Sequence, residues 1–288
     1  MIHEFIASWA LFHNTYLVGW LIGLLLALVG VLVVARDQIF IGAAVSQAST
    51  LGIALALGLG SWTATDALEW LHADAFLSTM AVVFSVLAAL LTARGGEDGK
   101  ESHEAVTGWV FLVSASGAIL IVSHSPHGLD EIHRLLSSSI IGATQRDIWT
   151  FSALVIVTAV ALAASHRRVL LFALDPAMAA AVGMRLKPWV LITSAWLGLA
   201  VGLSIRSAGM LYTFGCLVLP ALVAKNVCRE VRPMFVVAPL VAVGTATVGF
   251  VLANHYDDPP AQMTVALLCL LLTMAWLIRR MRRGRDRV

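Results

Sequence analysis

Tyr16–Ala35 reads YLVGWLIGLLLALVGVLVVA, twenty residues without a charge or a proline. About 20 predominantly apolar residues are what an α-helix needs to cross a hydrocarbon core about 30 Å thick. Eight further stretches repeat the pattern, at Gln38–Gly60, Ala75–Ala93, Gly108–Ser123, Ile148–Ser165, Pro188–Ile205, Ser207–Ala224, Pro233–Ala253 and Gln262–Ile278. Of the 288 residues, 59% are hydrophobic and 12% charged, about half the charged share of a soluble domain. Mean hydropathy is +0.88. The expected fold is therefore all-α, a polytopic transmembrane helical bundle of about eight to nine spans, forming a single integral membrane domain over residues 1–288.

The N-terminus lacks a basic n-region and an A-x-A-like cleavage site, so no removable signal peptide is expected. Cys216, Cys228 and Cys269 stand apart. They read as small packing residues and not as a disulfide framework or a metal cluster.

Orientation follows from the basic residues. Arg36, Arg94, Lys100, Arg167, Arg168, Arg185, Lys187, Lys225, Arg229 and Arg232, with six arginines in the tail from Arg279, all fall on one side of the nine spans. Arg134, Arg146 and Arg206 fall on the other. The expected topology has the N-terminus outside and the C-terminus, with its basic tail 279–288, in the cytoplasm. The basic face would meet anionic membrane lipids or a partner protein. No nucleic-acid motif is present.

None of the nine stretches contains Asp, Glu, Lys, Arg or His. Secondary transporters use intramembrane ionisable groups as relays, and voltage sensors use arginines. Their absence argues that another component supplies the driving force. A secondary carrier or channel, a membrane enzyme and a non-transporting regulatory subunit are the competing classes. In place of charge the spans carry small residues. Ala44, Ala48, Gly52 and Ala56 recur every four positions, flanked by Gly42, Ser46, Thr50 and Ala54, and Ser194, Gly198 and Gly202 repeat the spacing. Such stripes let helix backbones approach closely in lipid. The second span is thus expected to be a central helix, packed by protein or lining a cavity. Pro220 predicts a kink or an unwound turn in the seventh span.

Two loops carry chemistry. SHSPHGLDEIHRLLSSS, Ser123–Ser139, gathers His124, His127, Asp130, Glu131 and His133, with a short interfacial helix expected over Leu129–Leu136. Imidazole and carboxylate suit zinc or manganese, while a solvated polar loop is the plainer reading. No H-E-x-x-H pattern is present, so a catalytic zinc is not expected. After the fifth span, LDPAMAAAVGM predicts a short helix from Pro176 to Val182. Asp175 would be its N-cap, Pro176 its first position and Gly183 its C′ residue.

Four segments resemble the permease subunit of bacterial metal-ion ABC importers, the zinc, manganese and iron class. They are VLVVARDQIFIGAAVSQASTLGIALAL, LLSSSIIGATQRDI, FALDPAMAAAVGM and AGMLYTFGCLVLPALVAKNV. The resemblance runs from about Gly30 to Met274. It implies a type II-like ABC importer permease in the bacterial inner membrane, catalysing nothing itself and binding no covalent cofactor. It implies ATP-binding cassette ATPase subunits docking on Asp175, Pro176, Ala179 and Gly183, with ATP held by them. It also implies a periplasmic metal-binding protein and a second permease subunit, identical or different. Ala43, Ser46, Gln47, Thr50 and Pro220 would then face the pathway of the transported divalent ion. The family pattern carries an aspartate and a histidine where this chain has Ala43 and Gln47. Three accounts stay open: a different second permease that supplies the ligands, passage by carbonyl oxygens and water, or another solute such as a chelated metal.

Overall fold

The computed structural model describes residues 2–62, 74–95, 102–123 and 140–285. Among them the chain is all-α. The helices are α1 (Ile2–Ala35), α2 (Ile39–Trp62), α3 (Asp74–Arg94), α4 (His103–Val122), α5 (Gln145–Leu174), α6 (Pro176–Ala181), α7 (Leu186–Ala208), α8 (Met210–Val227), α9 (Val231–Tyr256) and α10 (Pro260–Arg285), with a 3-10 turn at Ile140–Gly142. All but α6 are long and apolar enough to cross a membrane. Each of these nine overlaps one expected stretch. The polytopic bundle read from the sequence is the fold.

The helices group into two compact units. Residues 1–37, 139–174 and 211–288 form the first, and residues 38–138 and 175–210 the second. In the second unit α2 packs against α3, α4 and α7, and α3 also packs along α7. Small residues make this possible. A methyl group added at Gly52 would lie 2.5 Å from the Met80 carbonyl oxygen, and one at Gly198 would lie 2.6 Å from Val86 Cα. The backbones thus approach more closely than any side chain allows. The Ser85 hydroxyl, fully buried, donates to the Gly198 carbonyl at 2.7 Å across the α3–α7 seam. Ala44, Ala48, Ala54 and Ala56 are buried, and Ala54 packs on Ala118 and Val122 of α4. The small stripe of the second span is a packing face, as its spacing implies.

In the first unit α1 packs against α9 and α5. The Tyr212 hydroxyl of α8 donates to the Gly19 carbonyl of α1 at 2.9 Å. Tyr16 stacks on Phe250 of α9, ring centroids 5.5 Å apart. Of the most apolar stretch of each helix, 72% is buried for α1 and 11% for α5, so α5 turns most of its apolar surface outward.

Two local expectations are sharpened. α8 stays helical through Pro220, which removes the unwound turn of the two alternatives and leaves the kink. α5 does not stop at Ser165. It bends there (φ −114°, ψ 15°) and continues to Leu174, so HRRVLLFAL is helix, not loop. The Ser165 hydroxyl donates back to the Ala161 carbonyl, a competition with the backbone that bends helices.

Candidate functional site

α2 begins at Ile39, after Asp37, whose φ of +53° lies in the left-handed region. Between Ile41 and Thr50 its buried surface is interrupted at Ala43, Gln47 and Thr50, half-exposed at spacings of four and three. Those spacings place the three on one helix face. The Gln47 side-chain amide donates to the Met210 sulfur at 3.2 Å. A thioether is a weak acceptor, so this contact holds the amide lightly. Thr50 bonds back to the Ser46 carbonyl at 3.2 Å. The hydroxyls of Ser46 and Ser49 are buried and have no hydrogen-bond partner among the described residues. Unpaired hydroxyls on a packed helix call for an explanation beyond packing. Every group along the strip is neutral. It can lend carbonyl, hydroxyl and thioether atoms to a passing cation, and no charged ligand. Pro220 is buried in α8, in the first unit.

α6 is built as its sequence implies. The Asp175 carboxylate accepts the Met178 backbone N–H at 2.8 Å, and Pro176 opens the helix. At the other end the Gly183 N–H bonds to the Ala180 carbonyl at 2.9 Å and the Met184 N–H to the Ala179 carbonyl at 3.0 Å. Gly183 has φ +83°. This paired closure needs a left-handed C′ residue, which glycine alone adopts freely. Ala179 is fully buried, and α6 packs against α7. Met178 and Val182 stand more than half exposed. A short helix locked at both ends and anchored on one face thus presents apolar side chains outward.

Sequence reading missed the lattice at the neighbouring helix ends of the first unit. The Arg36 guanidinium lies 4.6 Å from the centre of the Phe172 ring, and burial lowers its pKa from the ordinary arginine value. Lys225 pairs with Asp37 at 2.7 Å. Arg279 donates to the Asn226 side-chain carbonyl at 3.0 Å. The ends of α1, α5, α8 and α10 are thereby tied together. Arg36 and Phe172 stand in two of the four family-like segments, which was the available signal. Their pairing is long-range and no local pattern announces it. Met210, the partner of Gln47, was likewise not legible.

At the start of α5 the segment IIGATQRD is also ordered. Ile140 is fully buried in the 3-10 turn. The Asp147 carboxylate accepts the Thr144 hydroxyl and backbone N–H, each at 2.8 Å. The proposed metal-loop residues His124, His127, Asp130, Glu131 and His133, and the expected helix Leu129–Leu136, lie outside the described residues. Among the described residues no group of three or more His, Cys, Asp or Glu side chains converges on a metal position.

Residues 8–279 match the ABC 3 transport family. The chain belongs to this family. As a member it is a multi-pass membrane permease of an ABC transporter, and not an enzyme. It is 21% identical over 281 residues to the manganese import system permease protein ScaB of Streptococcus gordonii, covering 96% of each chain. It is 23% identical over 266 residues to the chelated iron transport system membrane protein YfeD of Yersinia pestis, covering 92% of this chain and 84% of that one. Its fold resembles PsaBC of Streptococcus pneumoniae, solved in complex with Fab, with a TM-score of 0.78 at 18% identity, covering 96% of this chain and 95% of that one.

Proposed function

We propose that this chain is a membrane-spanning permease subunit of an ATP-driven importer for divalent metal ions (manganese, iron or zinc). It is one permease domain in the bacterial inner membrane, with the N-terminus outside and the basic tail in the cytoplasm. Separate ATPase subunits hydrolyse ATP and dock around α6. A periplasmic metal-binding protein delivers the ion, and a second permease completes the pathway. The observation that carries this reading is α6, locked by Asp175 and Gly183 with Met178 and Val182 turned outward, in a chain that matches a transport family over nearly its whole length. Rigid capping at both ends suits an element that transmits force from a soluble engine.

The Ala43–Gln47–Thr50 strip is the portion of the pathway contributed by α2. Its neutrality favours a different second permease that keeps the charged ligands, and the pair is a heterodimer. The second reading is an importer of a chelated metal or another solute. It is favoured by the same neutrality, because a chelate brings its own ligands. His124, His127, Asp130, Glu131 and His133 would then receive or guide the ion at the outer face.

The deciding experiment expresses the tagged chain in its native host, purifies it with its partners, and measures uptake of labelled manganese, iron and zinc in reconstituted vesicles. An ATPase and a second, different permease should co-purify, and uptake should need ATP. A homodimer with full uptake sinks the heterodimer. Uptake without ATP or an ATPase sinks the importer.

A further inference from the structure

Of the nine spans α5 has the smallest buried share, 11% of its most apolar stretch, and its inner face is not flat. Leu162 and Leu170 of α5, Leu28 of α1 and Phe235 of α9 line a groove of 340 Å³ that also takes in Ala159 and Ala163. From Ala159 to Leu170 the groove follows α5 for eleven residues, about 16 Å at the helical rise. The walls are apolar except for His166 and Arg232. The bend at Ser165 falls beside them. Arg167 and Arg168 follow on α5 and are exposed, and Arg229 precedes α9. Among the described residues Arg232, Arg167 and Arg168 form no ion pair. Glu230, at the N-cap of α9, is the one acid in this stretch of sequence, beside Arg229 and Arg232. The charge at this end of the groove is therefore strongly positive and uncommitted.

A slot with hydrocarbon walls in a membrane protein, about three turns long and closed at one end by an unpaired guanidinium, is complementary to one class of molecule. We propose that the α1–α5–α9 groove holds an acyl chain of an anionic phospholipid, whose phosphate sits on Arg232 with His166 beside it. The apolar walls select a lipid over a free phosphate, and the cations select an anionic headgroup over a zwitterionic one. A basic residue near an anionic membrane surface contributes about a fivefold change in binding. The site lies outside the Ala43–Gln47–Thr50 strip and outside α6.

The test is native mass spectrometry of the full-length chain in detergent, titrated with phosphatidylglycerol or with phosphatidylcholine of the same acyl chains. Phosphatidylglycerol should bind at least fivefold more tightly. Arg232→Gln, an exposed change that leaves folding intact, should weaken phosphatidylglycerol about fivefold and leave phosphatidylcholine unchanged. Ala159→Trp fills the slot and should weaken both. Equal affinity of the native chain for the two lipids overturns the proposal, as does an unaltered phosphatidylglycerol affinity in Arg232→Gln. Phosphatidylglycerol adducts that occur on the single chain and vanish in the assembled permease pair would make the groove a protein–protein seam, which also overturns it.

Discussion

Gly198→Ala adds one methyl group to α7 and should loosen the second unit. The new Cβ would lie 2.6 Å from Val86 Cα and 2.8 Å from the Ser85 carbonyl oxygen, where ordinary contacts run 3.4–4 Å. Both obstacles are backbone of α3, so no side chain can swing aside. The two helices must part by about 1 Å. Overpacking of this kind costs about 1–3 kcal/mol. The Ser85–Gly198 hydrogen bond lengthens with the shift, at about 0.6 kcal/mol for a bond of this type in a membrane. Alanine returns up to about 1 kcal/mol of helix propensity. With the full propensity gain the net destabilisation is about 0.6–2.6 kcal/mol. Gly244→Ala is the control, because nothing lies within 4 Å of a methyl group built there. It should leave stability unchanged or raise it by up to about 1 kcal/mol. The assay is the folded fraction of the purified full chain across an SDS titration in mixed micelles, with Ser85→Ala as a third variant expected near 0.6 kcal/mol. A Gly198→Ala chain as stable as the native one, or a Gly244→Ala chain equally weakened, would refute the close-packing argument.

Three further outcomes test the functional reading. Gly183→Val places a β-branched residue at φ +83° and should abolish ATP-dependent uptake while membrane insertion persists; Asp175→Ala removes a cap worth about 1 kcal/mol and should lower uptake partially. Normal uptake in Gly183→Val separates α6 from coupling. Ala43→Asp with Gln47→His restores a carboxylate and an imidazole one turn apart and should lower the half-saturating manganese concentration about tenfold, equivalent to about 1.4 kcal/mol; an unchanged value removes the strip from the pathway. His127→Ala with His133→Ala should raise the metal concentration needed for half-maximal uptake, and no change assigns that loop to solvation alone.

Much of this was readable because membrane folding leaves a strong linear trace. A backbone in lipid must satisfy its own hydrogen bonds, so each span becomes a continuous apolar helix. Hence all nine spans were visible, with shifts only at the ends. Helix α6 was visible too, since capping is local: Asp175, Pro176 and Gly183 fall within nine residues. What failed was also local in origin but settled elsewhere. The apolar stretch of the fifth span ends at Ser165, where His166, Arg167 and Arg168 begin, yet α5 continues to Leu174, where Phe172 buries itself under Arg36. Of the kink or unwound turn expected at Pro220, the unwound turn is not formed, because α8 stays helical through it.

The sequence by itself determined that this chain is a bundle of membrane-spanning helices and that its spans pack through small residues. Periodicity, charge placement and capping chemistry act over a few residues and need no partner. The tertiary structure alone decided which residues meet. Gln47 finds Met210 across 163 positions, Ser85 finds Gly198 across 113, and Lys225 finds Asp37 across 188. It also decided that Arg232 and His166 share a groove. Such pairings depend on how helices lie against one another, a property of packed surfaces that no single helix carries in its own sequence.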